Sequence, residues 1–129
     1  MRKLGPVPDA SSVLIMILGL PADVDILVEG DRDTVEADLE PIGDGFEKAA
    51  EKASLKRSAS DGSAVLMVHR ASRRPLFSGP PSISDGSLKI TVRVPQGIGV
   101  RGIVRGLVTV SGGYDRNLFT VTSDAETYL

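Results

Sequence analysis

Cysteine and tryptophan are both absent from the 129-residue sequence, and aromatic residues make up only 4% of it. Without cysteine the chain can form no disulfide bond, no thiolate metal site and no cysteine nucleophile, and cysteine usage gives no information on the cellular compartment. A core with so few aromatic rings must be built from valine, isoleucine, leucine and alanine. The sequence therefore predicts an aliphatic core.

A strong excess of either charge is also lacking, because the formal net charge is -2 at pH 7. Nucleic-acid binding usually needs a strongly basic face, so this balance argues against a nucleic-acid partner. Hydrophobic residues make up 41% of the chain and charged residues 25%, which is typical of a folded globular protein. A chain of this length has room for one core, and we expect a single β-rich domain over residues 1–129.

The sequence contains a single long hydrophobic run, at residues 13–20. A membrane-spanning helix needs roughly 20 apolar residues, so we expect no membrane span. Arg2 and Lys3 precede the run as in a signal peptide, but Asp9 and two prolines interrupt that region. A buried strand is the better interpretation. We accordingly favour a location in the cytoplasm or on a larger assembly over secretion.

Alternation of apolar and polar residues with a period of two dominates the chain, which is the pattern of half-buried β-strands. Residues 23–29 and 34–40 alternate in this way on either side of a short polar loop, which predicts a hairpin. The clearest strand is predicted at residues 88–94, directly after Asp85-Gly86. Further strands are predicted at residues 64–70, 100–111 and 118–122.

A change to helical spacing follows Pro41, where Phe46, Ala49, Ala50 and Ala53 recur at intervals of three and four residues. Asp44 is placed to cap a helix, and Glu47 follows three residues later as in a capping box. The pattern predicts one inserted α-helix near residues 44–57.

The predicted fold class is mainly β: a single domain of stacked or antiparallel short strands, either β-solenoid-like or a sandwich, with that one helix. We expect an N-terminal arm at residues 1–11. Residues 72–86 are rich in proline, glycine and serine and are predicted to form an irregular loop.

Residues 97–102 read G-x-G-x-x-G, the spacing of a dinucleotide-binding loop. Such a loop needs a helix after it, with its N-terminus directed at the phosphate. The residues that follow are β-branched and interrupted by Gly106, so they favour a strand. We therefore interpret these glycines as strand corners and as points of close approach between neighbouring backbones. No cofactor is predicted.

Catalytic and metal-binding patterns are weak throughout the sequence. His69 is the single histidine, and nothing in the sequence places a serine and a carboxylate beside it as serine hydrolysis requires. The acidic residues around Asp31 and Asp33 lack the glycine and glutamate positions of a calcium-binding loop. We predict no catalytic residue and no metal site.

Charge is unevenly distributed along the chain. Residues 29–47 hold eight acidic residues and only one basic residue, whereas residues 48–74 hold seven basic residues and two acidic ones. The simplest interpretation is a pair of solvated faces that attract each other within the fold, with recognition by a partner as the alternative.

In the order of its segments, the sequence resembles the putative-adhesin domains of bacteria, common in actinobacteria and of unknown function. The best match is the strand at residues 87–100 with its Val94-Pro95-Gln96-Gly97 step. The other matching segments are residues 23–30, 34–37, 49–53, 61–68, 108–112 and 119–124. The resemblance covers roughly residues 12–125, and it implies a β-solenoid-like or stacked-strand fold and a non-enzymatic role in surface or partner contact.

Members of that family continue through many stacked layers, whereas this chain is expected to stop after about two. An open stack leaves unpaired strand edges that must be covered, charged or paired. We therefore predict a non-catalytic interaction domain that binds a protein partner or itself, as a homo-oligomer or in a larger assembly. The residues expected at the contact surface are Arg101, Arg105, Leu107, Tyr114 and Phe119.

Two other functions remain open at this point. The first is a structural subunit of a larger assembly, such as a phage decoration protein. The second is a small hydrolase, which requires His69 to lie in a pocket beside a carboxylate.

Overall fold

The computed structural model describes residues 2–18, 20, 22–42, 46–69, 87–104, 106–112, 119–123 and 127–128. Within them the chain forms eleven strands and one short helix. The elements in chain order are β1 (Arg2–Pro8), β2 (Ser12–Leu18), β3 (Ala22–Glu29), β4 (Thr34–Ile42), α1 (Glu47–Lys52), β5 (Ser54–Arg57), β6 (Ala64–His69), β7 (Ser87–Pro95), β8 (Gly99–Val104), β9 (Val108–Gly112), β10 (Phe119–Ser123) and β11 (Thr127–Tyr128). This is the mainly β architecture with one helix that the sequence predicts.

The strands form two mixed sheets. The six-stranded sheet has the order β1-β4-β7-β3-β9-β11, and the five-stranded sheet has the order β10-β8-β2-β6-β5. In the first sheet β7, β3, β9 and β11 are parallel, and in the second β6, β2, β8 and β10 are parallel. The antiparallel strands β1, β4 and β5 all lie at one end.

Each parallel strand of the five-stranded sheet is followed along the chain by its counterpart in the other sheet. The pairs β6/β7, β2/β3, β8/β9 and β10/β11 are stacked in this order in both sheets. Within the described residues the chain therefore makes four two-strand passes, whereas the sequence led us to expect about two layers. The first pass in the chain, β2/β3, lies inside the stack, with later passes on both sides of it.

The core lies between the sheets and is aliphatic, as the composition predicts. Along the central strands, alternate residues among those described point inward and are buried. The largest fully buried side chains include Ile15, Ile17, Ile26, Leu39, Leu66, Leu88 and Ile90. Phe46, Ala49 and Ala50 from the helix region are also buried, which brings α1 onto one end of this core.

The hairpin predicted from residues 23–29 and 34–40 is wrong. Both segments are strands, but β7 lies between them and pairs with β3 on one side and β4 on the other. The polar loop between β3 and β4 therefore passes over the end of β7. Alternation specifies which residues face the core, and it carries no information on which strand becomes the neighbour.

Three other segment boundaries differ from the sequence prediction. The helix ends at Lys52, and Ser54–Arg57 is strand β5. Phe46 occupies the N-cap position without a side-chain hydrogen bond, and Asp44, the predicted cap, lies outside the described residues. The strand predicted at residues 100–111 is divided into β8 and β9, which belong to different sheets.

The first residues of the chain take part in a sheet, because β1 pairs with β4 along Arg2–Pro8. The loop predicted at residues 72–86 lies outside the described residues. No helix among the described residues is long and apolar enough to cross a membrane.

Candidate functional site

The outer face of the six-stranded sheet is polar. One row across it, taken from the strand register, contains Lys3, Asp38, Thr91, Asp25 and Thr109. Both carboxylates of this row have partners within the sheet. The Arg93 guanidinium contacts the Asp38 carboxylate, and this hydrogen bond raises the pKa of Arg93. The Thr109 hydroxyl donates to Asp25.

Arg32 adds two further ion pairs in the β3–β4 loop. Its guanidinium lies 2.9 Å from Glu29 and 3.5 Å from Glu36. These carboxylates belong to the acidic segment 29–47, so part of its charge is balanced by arginines within the same sheet and loop. This supports the simpler interpretation of that segment as a solvated face.

The outer face of the five-stranded sheet is different, because apolar side chains occupy most of its centre. One row contains Lys56, Val65, Leu14 and Arg101, and the next contains Ser54, Met67, Met16 and Ile103. We refer to these eight residues as the basic–apolar face. Ile103 is 58% exposed, and the valine, leucine and methionines are half-buried.

The charges on the basic–apolar face are both positive. Lys56 lies on the edge strand β5 and Arg101 lies on β8, so the two cations flank Val65 and Leu14 in the same row. Both side chains are exposed. Neither row contains a carboxylate, which makes this face basic at its margins and apolar at its centre.

One carboxylate lies near this face, in the turn that connects β5 to β6. Asp61 accepts hydrogen bonds from the Ser63 hydroxyl at 2.7 Å and from the Ser63 N–H at 3.0 Å. These bonds lower the pKa of the Asp61 carboxyl, with smaller contributions from Ser58 and from the charge of Arg101. The Ser11 N–H donates to the carbonyl of Gly62 at 3.1 Å, which ties the turn to the start of β2.

The same turn lines an open surface depression of about 480 Å³, formed by Arg57, Ser58, Ala59, Ser60, Asp61 and Gly62. Its polar groups are used within the turn, since Ser58 donates its N–H to the Ser63 carbonyl at 2.7 Å and accepts one from Gly62 at 2.9 Å. We assign the depression to turn structure.

The residues predicted at the contact surface are not brought together. Arg101 is exposed at the centre of β8, on the basic–apolar face. Leu107 is 39% exposed, but it lies at the corner between β8 and β9, where its N–H donates to Asp23 Oδ1 at 3.0 Å. Phe119 on β10 is only 7% exposed and belongs to the core. Arg105 and Tyr114 lie outside the described residues.

The glycines of the G-x-G-x-x-G segment have structural roles. Gly97 has a φ of +93°, and β8 starts at Gly99, so no helix follows the segment that could direct its N-terminus at a phosphate. A Cβ atom on Gly102 would lie 2.4 Å from the carbonyl oxygen of Ile15. The interpretation of these glycines as a corner and a close approach is confirmed.

His69 is exposed at the last position of β6, paired in register with Leu18. The hydrolase hypothesis requires it in a pocket beside a carboxylate, so this position gives that hypothesis no support. In the part of the chain that the structure describes, no three histidine, cysteine, aspartate or glutamate side chains are grouped closely enough to hold a metal ion.

The sequence prediction missed most of the basic–apolar face. Leu14, Met16, Met67 and Ile103 were assigned only to apolar or buried strands. The signal was present in β2, where Val13, Leu14, Ile15, Met16 and Ile17 are apolar without alternation. In a sheet with one solvated face, such a strand must present apolar side chains on both sides.

A comparison with solved structures identifies a distant structural neighbour. No protein-family model and no curated protein matches the chain. The chain is similar to a putative cell adhesion protein from Clostridium sporogenes ATCC 15579, with a TM-score of 0.47 and 11% sequence identity, over 95% of this chain and 68% of that one. We therefore take the function of the chain from the chemistry of its own surfaces.

Proposed function

We propose that the chain is a non-catalytic interaction domain that acts by binding a protein partner or by self-association. The observation that carries this proposal is the contrast between the two outer sheet faces. Charged and hydroxyl side chains pair with one another on the six-stranded sheet, whereas the basic–apolar face leaves Ile103 58% exposed beside half-buried Met16 and Met67.

Exposed apolar surface of this kind indicates a binding surface when it is contiguous and has a polar rim. The residues of the basic–apolar face meet both conditions, because adjacent strands place Leu14 beside Val65 and Met16 beside Met67 and Ile103. The strand pairing therefore presents these side chains as one continuous surface. Methionine adapts its shape to a partner more readily than other apolar residues.

The chemistry of the face specifies the kind of partner. Lys56 and Arg101 are cations on opposite sides of the apolar centre, so the complementary surface is a protein patch with an apolar centre and carboxylates around it. If two copies packed together through this face, Lys56 and Arg101 of each copy would meet a surface without any carboxylate in its two rows. We therefore assign the basic–apolar face to a different protein and not to a second copy.

The proposal also includes two expectations from the sequence. The four stacked passes are the coils of a short β-solenoid-like fold, and the chain works in the cytoplasm or on a larger assembly. Fractionation of the producing cells with an antibody against the chain tests the location.

The function is tested by the native mass of the chain in extract of the producing cell, measured with the wild type and with Ile103→Glu. Ile103 is exposed, so this substitution leaves the core intact, but it places a carboxylate where the partner offers apolar or acidic groups. We expect the wild type to migrate as a complex with a second protein. The variant should bind that protein at least tenfold more weakly, which corresponds to a loss of about 1.4 kcal/mol of binding free energy.

The matched control is Ser111→Glu, which introduces the same charge at an exposed position on the outer face of the six-stranded sheet, opposite the uncharged Leu27. Loss of the partner with Ile103→Glu but not with Ser111→Glu supports the proposal. A partner that stays bound to Ile103→Glu, or that is lost equally from both variants, contradicts it.

A further inference from the structure

The two cations of the basic–apolar face are separated by the width of an apolar strip. Lys56, Val65, Leu14 and Arg101 share one row on the adjacent strands β5, β6, β2 and β8. Neighbouring strands lie roughly 4.8 Å apart, so the backbones of Lys56 and Arg101 are about 14 Å apart. The strip between them covers β6 and β2, and its width suits one α-helix, whose diameter with side chains is roughly 10–12 Å.

Along the strands, the apolar surface continues from this row to the next. Leu14 and Met16 are two residues apart on β2, as are Val65 and Met67 on β6, so the two rows are about 6.7 Å apart. One turn of an α-helix rises about 5.4 Å. Apolar side chains on successive turns of a helix parallel to β2 therefore reach both rows.

We propose that the basic–apolar face binds an acidic amphipathic α-helix of another protein, with the helix axis along β2 and β6. The helix rests on the proposed function, because it is the element of the other protein that the face receives. Its apolar stripe packs on the leucine, valine and methionines, and a carboxylate on each flank of the stripe faces Lys56 or Arg101. Helix positions two residues apart can lie on opposite flanks of such a stripe, so a Glu-x-Glu pair serves both cations.

The positions of the charges favour a helix over a partner sheet. A sheet packed face to face lies about 10 Å away and extends over several strands, so it covers Lys56 and Arg101 together with the apolar strip. Burial of charged groups is costly unless each one is paired. A helix over β2 and β6 leaves both cations at its margins, where they contact water and carboxylates.

The backbone of the five-stranded sheet favours a helix over an extended peptide. β2 pairs with β6 and β8, and β6 also pairs with β5, so the backbone groups beneath the apolar strip are bonded to one another. An extended peptide lying on this face would bury N–H and C=O groups without partners, which is costly. A helix satisfies these groups within itself.

The test measures the binding of synthetic peptides to the purified full-length chain by titration calorimetry. The acidic probe is three heptads long, with leucine at positions a and d, glutamate at e and g, and glutamine elsewhere. The basic probe is the same peptide with lysine at e and g. Like charges at e and g oppose the pairing of each probe with itself. We expect the wild type to bind the acidic probe at least about tenfold more tightly than the basic probe.

Replacing both cations should reverse this preference. The double variant Lys56→Glu, Arg101→Glu should bind the basic probe at least about tenfold more tightly than the acidic probe, because the flanking charges then attract lysine. Binding of the basic probe also shows that the double variant is folded. The control is Lys48→Glu, an exposed position in the first turn of α1 and outside both rows, which should keep the wild-type preference.

A third probe tests the helical conformation of the bound peptide. It is the acidic probe with proline in place of the glutamine at the central f position, which keeps every leucine and glutamate but interrupts the helix. We expect its binding to the wild type to be at least about tenfold weaker than that of the acidic probe. Equal binding of the two would overturn the helix and indicate an extended partner.

Two further results would overturn the acidic helix: a wild type that does not distinguish the acidic from the basic probe, or a double variant that still prefers the acidic one. Neither result affects the loss of the partner in cell extract from Ile103→Glu, which tests the proposed function. A partner retained by Ile103→Glu contradicts the proposed function itself, whichever probe the purified chain binds.

Discussion

At the scale of single residues, Gly102 fixes the distance between β8 and β2. It pairs in register with Ile15, and a Cβ atom at this position would lie 2.4 Å from the Ile15 carbonyl oxygen and 2.9 Å from the Ile15 Cβ. Both obstructing atoms belong to a buried central strand that cannot move without disturbing the core. Only glycine fits at this position without displacing Ile15.

We expect Gly102→Ala to destabilise the fold by about 1–3 kcal/mol, the usual range for overpacking a core. Urea unfolding midpoints measure the change. The control is Gly30→Ala, which should leave the midpoint nearly unchanged, because its Cβ would meet only the movable end of the Gln96 side chain, at 3.0 Å. Equal midpoints for Gly102→Ala and the wild type would mean that β8 and β2 are farther apart at Gly102 than these distances indicate.

Asp61 is a second residue with a specific role, because its carboxylate organises the turn before β6. Hydrogen bonds from Ser63 lower its pKa, so the folded chain binds this proton less readily than the unfolded chain. The resulting stabilisation is present above the ordinary aspartate pKa of about 3.9 and is lost as the pH falls through the lower folded value.

We therefore expect Asp61→Asn to remove part of the acid sensitivity of the fold. The asparagine side-chain oxygen can still accept from Ser63, so the substitution mainly removes the titration. Urea midpoints at pH 7, 5 and 3 should fall more steeply at the acidic end for the wild type than for the variant. Parallel curves for the two proteins would contradict this role of Asp61.

At the scale of elements, β7 is the strand that joins the antiparallel end of the six-stranded sheet to its parallel part. It pairs with β4 on one side and β3 on the other. The Arg93–Asp38 ion pair bridges β7 and β4 on the outer face, with the aspartate side chain 13% exposed. Because the aspartate is mostly buried, water screens this pair less than most surface ion pairs.

We expect Asp38→Asn to destabilise the fold by about 1 kcal/mol in low salt and by less in 1 M salt, where charge interactions are screened. Thermal unfolding at both salt concentrations measures the effect. Glu40→Gln, an exposed position on the same strand, is the control and should have an effect close to zero. A loss of stability that is independent of salt would assign the role of Asp38 to packing and not to charge.

The elements differ in how well the sequence predicts them. The alternation of Leu88, Ile90, Val92 and Val94 predicts β7 and its buried face correctly. It does not predict the neighbours of β7, because pairing depends on segments far apart in the chain. The helix was predicted too long, since the alanine spacing that ends at Ala53 runs directly into the strand residues of β5.

The basic–apolar face could be predicted even less well. Its rows combine residues from four strands that are distant in sequence, such as Leu14 and Arg101. Taken alone, β2 and β6 are consistent with burial on both sides.

At the scale of the whole molecule, the two sheets share one core, and most of the pairing is between distant segments. Val13 pairs with both Ala64 and Val100, so the centre of the five-stranded sheet requires the chain to close long loops. Loop closure must be completed before those contacts contribute stability, which makes folds of this kind slow to form.

We expect a single cooperative unfolding transition and refolding in about milliseconds to seconds. Stopped-flow circular dichroism measures the rate, and calorimetry compares the calorimetric and van't Hoff enthalpies. Two resolved transitions would contradict the shared core, and refolding within microseconds would contradict the dominance of distant pairing.

The position of β2 and β3 inside the stack has a consequence for synthesis on the ribosome. Both strands are made early, but their neighbours in the sheets, β6, β7, β8 and β9, are all made later. A nascent chain that has reached Ser63 therefore holds the apolar strand Ser12–Leu18 without either of its sheet partners. That segment is therefore open to aggregation during translation until β6 and β8 have been made.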